Sequence, residues 1–240
     1  MSQRPTVAAF DCYGTLVDWE GGLGNFLYAF ALRKGEEPVE NGDALRRRWE
    51  AIQFDMIQGP YRPYKEVLAA SLEAWAAERE LPYRDEDGAD LVRAMCSWQP
   101  FHDTRPALRQ AREAGLQLAI LSNTDRDIIA HSLKHLEIPF DLVITAEDCG
   151  SYKPSPANFQ RLLRELDRPP EQVIHVAFGF KYDIGPANDA GMQSAWVNRH
   201  GEAIPEGAKP SHIWRDLWGL PLLVGGAGPD DSWQTGATIP

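Results

Sequence analysis

The sequence predicts an α/β fold in which a doubly wound parallel sheet is interrupted by an inserted all-helical cap. From residue 103 onward, short apolar runs of strand length alternate with helical patterns, as in successive βαβ units. Another strand-like run near the N-terminus is separated from these by roughly 80 residues in which apolar residues recur only at helical spacing. The first strand therefore belongs with the later ones, and the helical block is an insertion.

The boundaries of the elements follow from the apolar runs and from the breaks between them. Strands are predicted at residues 6–10, 116–121, 141–145, 173–177 and 193–197. In the cap, Asn41-Gly42-Asp43 and Gly59-Pro60 interrupt the helical pattern, which predicts about four helices. The predicted domains are a core at residues 1–15 and 100–224, a cap at 16–99 and a flexible tail at 225–240.

Composition excludes several classes of protein. The 240 residues carry a formal net charge of −11 at pH 7, which argues against nonspecific binding of nucleic acid. Cys12, Cys96 and Cys149 are scattered without CxxC spacing, so neither a disulfide framework nor a zinc site is indicated. No run approaches the ~18 apolar residues of a membrane span. We expect a cytoplasmic protein that acts on a small molecule and binds neither nucleic acid nor membranes.

Polar residues stand where four of the predicted strands end. Asp11 closes the first strand, Ser122 and Asn123 follow the second, Lys153 precedes the helix after the third, and Asp183 follows the fourth by a short loop. Taken singly, each is explained by helix capping or by an exposed position. The carboxyl ends of parallel strands share one edge of the sheet, so together the residues predict a ligand site with Asp11 as candidate nucleophile.

Four motifs resemble those of the haloacid dehalogenase (HAD) superfamily in order and spacing, namely Phe10–Val17, Leu121-Ser122-Asn123, Tyr152-Lys153-Pro154 and the Asp183 loop. That resemblance implies a Rossmann-like HAD core with an inserted helical cap. Superfamily phosphatases carry a second Asp two places after the nucleophile and a metal-binding acid in the fourth motif. Here those places hold Tyr13 and Phe178, so the chain is more similar to the L-2-haloacid dehalogenase (type II) branch.

The resemblance also implies a reaction and a set of site residues. Asp11 is expected to attack C2 of a haloacetate or L-2-haloalkanoate, and water then hydrolyses the aspartyl ester to release the 2-hydroxy acid. The catalytic residues implied are Asp11, Lys153, Asp183 and Thr15. The substrate-binding residues implied are Cys12, Tyr13, Ser122, Asn123 and Tyr152. A cap arginine would receive the halide; we assign this to Arg48 of the triplet Arg46-Arg47-Arg48, and Arg62 is a competing cation. No metal or other cofactor is expected, and the family favours homodimers.

Departures from the branch leave two other functions open. Phe159 stands where the branch has a Tyr, and Phe178 and Gly179 make the fourth motif less polar than in the dehalogenases. One alternative is a Mg²⁺-dependent phosphatase that uses Asp11 and Asp183 on a small phosphate ester. The other is a binding protein that keeps the HAD fold without catalysis.

Overall fold

A computed structural model describes residues 4–207, 209–226 and 228–229. Its strands are β1 (Val7–Phe10), β2 (Gln117–Ser122), β3 (Leu142–Thr145), β4 (Val173–Ala177), β5 (Gln193–Val197) and β6 (His212–Trp214). Its α-helices are α1 (Trp19–Arg33), α2 (Gly42–Ile57), α3 (Tyr64–Glu78), α4 (Asp85–Met95), α5 (Thr104–Glu113), α6 (Arg126–Leu136), α7 (Ala146–Cys149), α8 (Pro156–Leu166), α9 (Gly185–Asp189) and α10 (Gly219–Leu223). Short 3₁₀ and π turns lie at Pro170–Gln172 and Phe180–Ile184.

The six strands form one parallel sheet in the order β3-β2-β1-β4-β5-β6. This confirms the predicted fold class. The first strand lies at the centre, where Ala9 pairs with Ala119 of β2 and His175 of β4. Helices cover both faces, so β1 and β4 are buried along their whole length; β1 is a continuous apolar run, and β4 is apolar apart from His175. The three-residue edge strand β6 was not predicted, because it is too short to carry a pattern.

Helices α1 to α4 form the cap, and the remaining elements form the core. The cap helices bury large apolar side chains, among them Trp49, Trp75 and Phe30. Helices α1 and α2 cross closely at two glycines, since a Cβ on Gly24 would stand 2.8 Å from the carbonyl oxygen of Gly42. Asn41 begins α2 by accepting a hydrogen bond from the backbone of Ala44 at 2.9 Å. The Asn-Gly break in the sequence is thus the start of α2, the helix that carries the cavity residues Glu50 and Gln53.

One feature of the C-terminal half differs from the sequence expectation. Asp183, expected in a short loop, sits inside a helical turn, because the π turn Phe180–Ile184 precedes α9. The tail predicted to be flexible, 225–240, falls mostly outside the described residues, which end at 229. Within the described ranges, no helix combines the length and apolar character that crossing a membrane requires.

Candidate active site

Asp11 follows β1 directly and is held by donors on both carboxylate oxygens. Its side chain is nearly buried, with 6% of the residue exposed. Lys153 Nζ lies 3.0 Å from Oδ1, and Thr15 Oγ1 donates to Oδ2 at 2.8 Å. Thr15 in turn accepts the backbone N–H of Phe178 at 3.0 Å, which directs its own proton to Asp11. The turn behind Asp11 needs glycine, because Gly14 has φ +91° and a Cβ there would meet the Phe178 ring.

Lys153 links Asp11 to a second buried carboxylate. Its side chain is 1% exposed, and Nζ donates to Asp183 Oδ1 at 2.7 Å as well as to Asp11. Asn123 fixes the lysine backbone, because its Oδ1 accepts from Lys153 N at 2.7 Å and its Nδ2 donates to Lys153 O at 2.9 Å. The second motif therefore positions the third, and both meet at Asp11.

The two carboxylates that share Lys153 differ in their electrostatics. Burial raises the pKa of Asp11, the Lys153 ammonium opposes this, and the negative charge of Asp183 adds to it. Burial also disfavours the charged form of Asp183, but Lys153 and His175 outweigh it and hold the Asp183 pKa below its usual value. Burial would lower the pKa of Lys153, but the two carboxylates outweigh it and raise that pKa. Asp11 is thus the less stabilised anion of the pair, which suits a nucleophile.

His175 is a site residue that sequence reasoning missed. Its Nε2 lies 2.7 Å from Asp183 Oδ1, and the residue is 0% exposed. Its ring meets Phe159 edge to face at 5.4 Å. Donation from Nε2 requires the proton on that nitrogen, and Nδ1 has no partner among the described residues. The available signal was a histidine inside an apolar strand next to β1, eight residues before Asp183.

A small cavity of about 60 Å³ opens above Asp11 between core and cap. Its core side is lined by Asp11, Tyr13, Ser122, Asn123, Lys153 and Asp183. Its cap side is lined by Trp19, Glu50, Gln53 and Tyr64. The Ser122 hydroxyl is buried here without a hydrogen-bond partner in the structure. A buried polar group of this kind is costly unless a ligand or water engages it, so Ser122 marks a place for a polar part of a substrate.

A larger cleft of about 540 Å³ adjoins this cavity. Glu50, Phe178 and Tyr182 line both and form the boundary between them. The cleft is lined by neither Asp11 nor Lys153. The reacting groups therefore belong to the smaller cavity, despite the greater size of the cleft.

Comparison with known proteins identifies the family. A family model described as haloacid dehalogenase-like hydrolase matches residues 5–191. The chain belongs to this hydrolase family. An (S)-2-haloacid dehalogenase of Pseudomonas putida is 28% identical over 216 residues, which is 87% of this chain and 91% of the relative. A phosphatase of Mycobacterium tuberculosis is also 28% identical, over 85% of this chain and 94% of its own.

A solved structure supports the same relationship. The crystal structure of an L-2-haloacid dehalogenase superposes with a TM-score of 0.81 at 27% identity, covering 93% of this chain and 100% of that one. The resemblance read from the four motifs is thereby confirmed. Because the family contains both dehalogenases and phosphatases, the residues that this HAD hydrolase places around Asp11 must separate the two chemistries.

The structure does not bring Arg48 into the site, and that prediction was wrong. Arg48 lies on an outer face of α2, its side chain is 57% exposed, and its Nε donates to Glu78 at 2.7 Å. The buried arginine of the triplet is Arg46, whose guanidinium is surrounded by carboxylates. It pairs with Glu20 at 2.9 Å, Asp43 at 2.6 Å and Glu50 at 2.8 Å. Helical periodicity alone could not show which of three consecutive arginines faces inward.

The other predicted binding residues are close to the site but make different contacts. Cys12 is fully buried beside Asp11, and burial raises the pKa of its thiol well above the usual value. Tyr13 lines the cavity, while its hydroxyl lies 2.8 Å from Ser132 Oγ. Tyr152 is outside the cavity lining and donates to the Arg62 carbonyl at 2.8 Å. Tyr152 therefore braces the loop that leads into α3.

A second contact fixes the same cap helix to the core. Asp125, in the loop after β2, accepts the backbone N–H groups of Tyr64 at 2.8 Å and Lys65 at 2.9 Å. A carboxylate at this end of a helix satisfies otherwise unpaired donors and favours the helix dipole. The loop that carries Ser122 and Asn123 thus also sets the position of Tyr64, a cap residue of the cavity.

The superfamily phosphatases imply a Mg²⁺ ion, so its fit to these residues matters. Asp11 and Asp183 both point at the Lys153 ammonium, which already supplies the positive charge between them. In the part of the chain that the structure describes, no group of three or more His, Cys, Asp and Glu side chains is arranged to hold a metal. This donor set fits a buried ion pair better than the oxygen-rich octahedral shell that Mg²⁺ requires.

Proposed function

We propose that this HAD hydrolase removes halide from small 2-haloacids, a haloacetate or an L-2-haloalkanoate, through a covalent ester on Asp11. The observation that carries the proposal is the residue at position 13 and the contact that its side chain makes. Tyr13 stands where a phosphatase would hold its general acid, its hydroxyl is bonded to Ser132, and burial raises its pKa well above the usual value. A halide leaves carbon without needing a proton, whereas the alkoxide leaving group of a phosphate ester needs one from a general acid.

In the first step, a carboxylate oxygen of Asp11 bonds to C2 as the bond from C2 to halide breaks. The halide leaves with the bonding electrons, and the configuration at C2 inverts. Ser122, whose hydroxyl has no hydrogen-bond partner among the described residues, would donate to the substrate carboxylate. Thr15 and Lys153 restrict Asp11 to one orientation, which reduces the entropic cost of in-line attack.

In the second step, water attacks the carbonyl carbon of the Asp11 ester. The bond between that carbon and the ester oxygen breaks, the 2-hydroxy acid leaves, and Asp11 is restored with one oxygen from solvent. Asp183 holds Lys153 against Asp11 at 2.7 Å and 3.0 Å, and we assign it the orientation of the lysine and of the attacking water. The proposal requires no metal.

Two measurements test it together. Halide release from chloroacetate and from the enantiomers of 2-chloropropionate, with EDTA present, should occur in the native chain and vanish in Asp11→Asn. A single turnover in H₂¹⁸O should place the label in the peptide containing Asp11 and leave the first product unlabelled. Label in the first product instead would mean that water attacks C2 directly.

The phosphatase alternative has its own observable. The Mycobacterium tuberculosis relative is named as a phosphatase, and this chain keeps both Asp11 and Asp183. Phosphate release from an aryl phosphate that depends on Mg²⁺ and on Asp11, with no halide released from any haloacid, would replace the present proposal. The absence of both activities would favour a binding role.

A further inference from the structure

The cap side of the cavity is where a leaving group would lie. Attack by Asp11 requires the departing atom to lie opposite the attacking oxygen. Asp11 and Ser122 approach from the core, so the leaving group points toward the cap. Any selectivity at this end of the cavity rests on the proposed function.

Neutral hydrogen-bond donors form this end. Gln53 of α2 and Tyr64 of α3 both line the cavity, and Gln53 Nε2 lies 3.5 Å from Tyr64 Oη. With the tyrosine oxygen accepting from the amide, its own proton is left to donate to a ligand. Tyr64 is buried, and that burial raises its pKa, so the hydroxyl stays protonated across the working pH range.

No cap cation reaches the leaving-group end. Among the described residues that line the cavity, Lys153 alone carries a positive charge, and it is shared by two carboxylates. Arg46 is committed to three acidic side chains, and Arg48 points to solvent. The cap instead contributes the carboxyl group of Glu50. A departing anion is therefore held by O–H and N–H donors, with no countercharge from the cap.

We propose that this end of the cavity, with Tyr64 and Gln53 as its donors, selects fluoride as the leaving group. The preferred substrates would be 2-fluoro acids of two or three carbons. An O–H donor makes a stronger hydrogen bond to an anion whose charge is more concentrated. That strength is greatest for the small fluoride ion and falls for chloride and bromide. A cavity of about 60 Å³ favours the same order.

The step balances without a co-reactant. The bond from Asp11 to C2 forms as the bond from C2 to fluorine breaks, and fluoride leaves with both electrons while Tyr64 and Gln53 donate to it. The carbon-fluorine bond is the hardest of the carbon-halogen bonds to break, so its cleavage depends most on donors that engage the developing anion. Loss of such a donor should therefore penalise fluoroacetate more than bromoacetate.

The test compares kcat/KM for fluoroacetate, chloroacetate and bromoacetate, measured as halide released. In the native chain, we expect fluoroacetate to be the best of the three. Tyr64→Phe should lower kcat/KM for fluoroacetate by about 10- to 100-fold and for bromoacetate by less than about threefold. Gln53→Leu should act in the same direction, and it provides an independent variant if Tyr64→Phe folds poorly.

Tyr61 supplies a matched control. It lies in the loop before α3, and its hydroxyl is buried without a partner in the structure, but it does not line the cavity. Tyr61→Phe removes the same atom nearby and should leave the ratio of fluoride to bromide activity unchanged. A native preference for bromoacetate, or equal losses on all three substrates in Tyr64→Phe, would overturn the inference while leaving dehalogenation intact. If no substrate releases halide and no adduct forms on Asp11, the proposed function fails, and this inference fails with it.

Discussion

The two halves of the cavity differ in the charge of their hydrogen-bond donors, although the cap half also holds the carboxyl group of Glu50. On the core side, Asp11, Lys153 and Asp183 are charged, buried and mutually paired within 3.0 Å. On the cap side, Gln53 and Tyr64 are neutral donors that touch each other only at 3.5 Å. Buried charges must be paired to be tolerated, so the core leaves little freedom to vary, whereas neutral donors can be exchanged at small cost. We therefore assign the reaction to the core half and the choice of substrate to the cap half.

Removal of the central cation should break the core half most severely. In Lys153→Met, Asp11 and Asp183 remain buried and face each other without a countercharge. We expect activity to be lost and the free energy of unfolding to fall by about 3–5 kcal/mol, as when one partner of a buried pair is removed. Halide release and urea denaturation measure the two effects.

A second substitution separates stability from chemistry in that variant. Adding Asp183→Asn removes one of the two negative charges that face each other. The double variant Lys153→Met with Asp183→Asn should therefore regain part of the lost stability without regaining activity. The exposed Lys65, paired with Asp127 at 2.6 Å, provides a control, and Lys65→Met should change neither measurement appreciably. Full activity in Lys153→Met would contradict the role of Lys153 as the cation that holds Asp11 and Asp183 together.

Substitution of His175 tests whether the core groups act in hydrolysis of the ester as well as in its formation. His175→Leu removes one of the donors that hold the Asp183 pKa down, so Asp183 is less firmly ionised and orients Lys153 less well. We expect kcat to fall about 10-fold with little change in KM, and the Asp11 adduct to accumulate because ester hydrolysis slows more than alkylation. Intact-protein mass spectrometry after rapid quenching detects that adduct.

The conservative replacement sharpens the result. His175→Gln keeps an N–H donor in the strand and should recover part of the rate. If His175→Leu slows alkylation and hydrolysis equally, with no adduct, the histidine serves only to fill the space against Phe159.

Glu50 gives the cap half a dependence on pH. Burial raises its pKa, the negative charge of Glu20 adds to this, and Arg46, Lys181 and Arg47 oppose it. Below that pKa the carboxyl is neutral, and above it the negative charge repels an anionic haloacid. KM should therefore increase as pH rises through the pKa of Glu50. Glu50→Gln should remove that increase and lower KM at pH 8 by about threefold to 10-fold. A KM profile that is identical in both proteins would contradict this assignment.

The core of the site could be predicted from the sequence, because its residues occur at the ends of recognisable strands. Asp11 directly follows an apolar run, Lys153 and Asp183 lie in the connections after two others, and the rules of parallel sheets bring those ends together. His175 escaped prediction because a strand buried on both faces shows no alternation that would expose a polar member. The cap residues of the cavity escaped prediction because the rotation of each helix decides which side chains face inward. Neither three consecutive arginines nor a scattered Glu, Gln and Tyr reveal that rotation in the sequence.

Arg48 and Arg46 lie on the same helix but face opposite ways, and substitution of Arg48 has the smallest effect expected here. Arg48 pairs with Glu78 on an exposed surface, so Arg48→Ala should leave halide release within about twofold of the native rate. Above the pKa of Glu50, Arg46→Ala leaves the Glu50 carboxylate without its cation beside the cavity, and should weaken binding of an anionic substrate measurably more. KM values for one haloacid in the two variants decide the matter. A large effect confined to Arg48→Ala would mean that the cap rotates this arginine inward on substrate binding, and that the leaving group meets a cation after all.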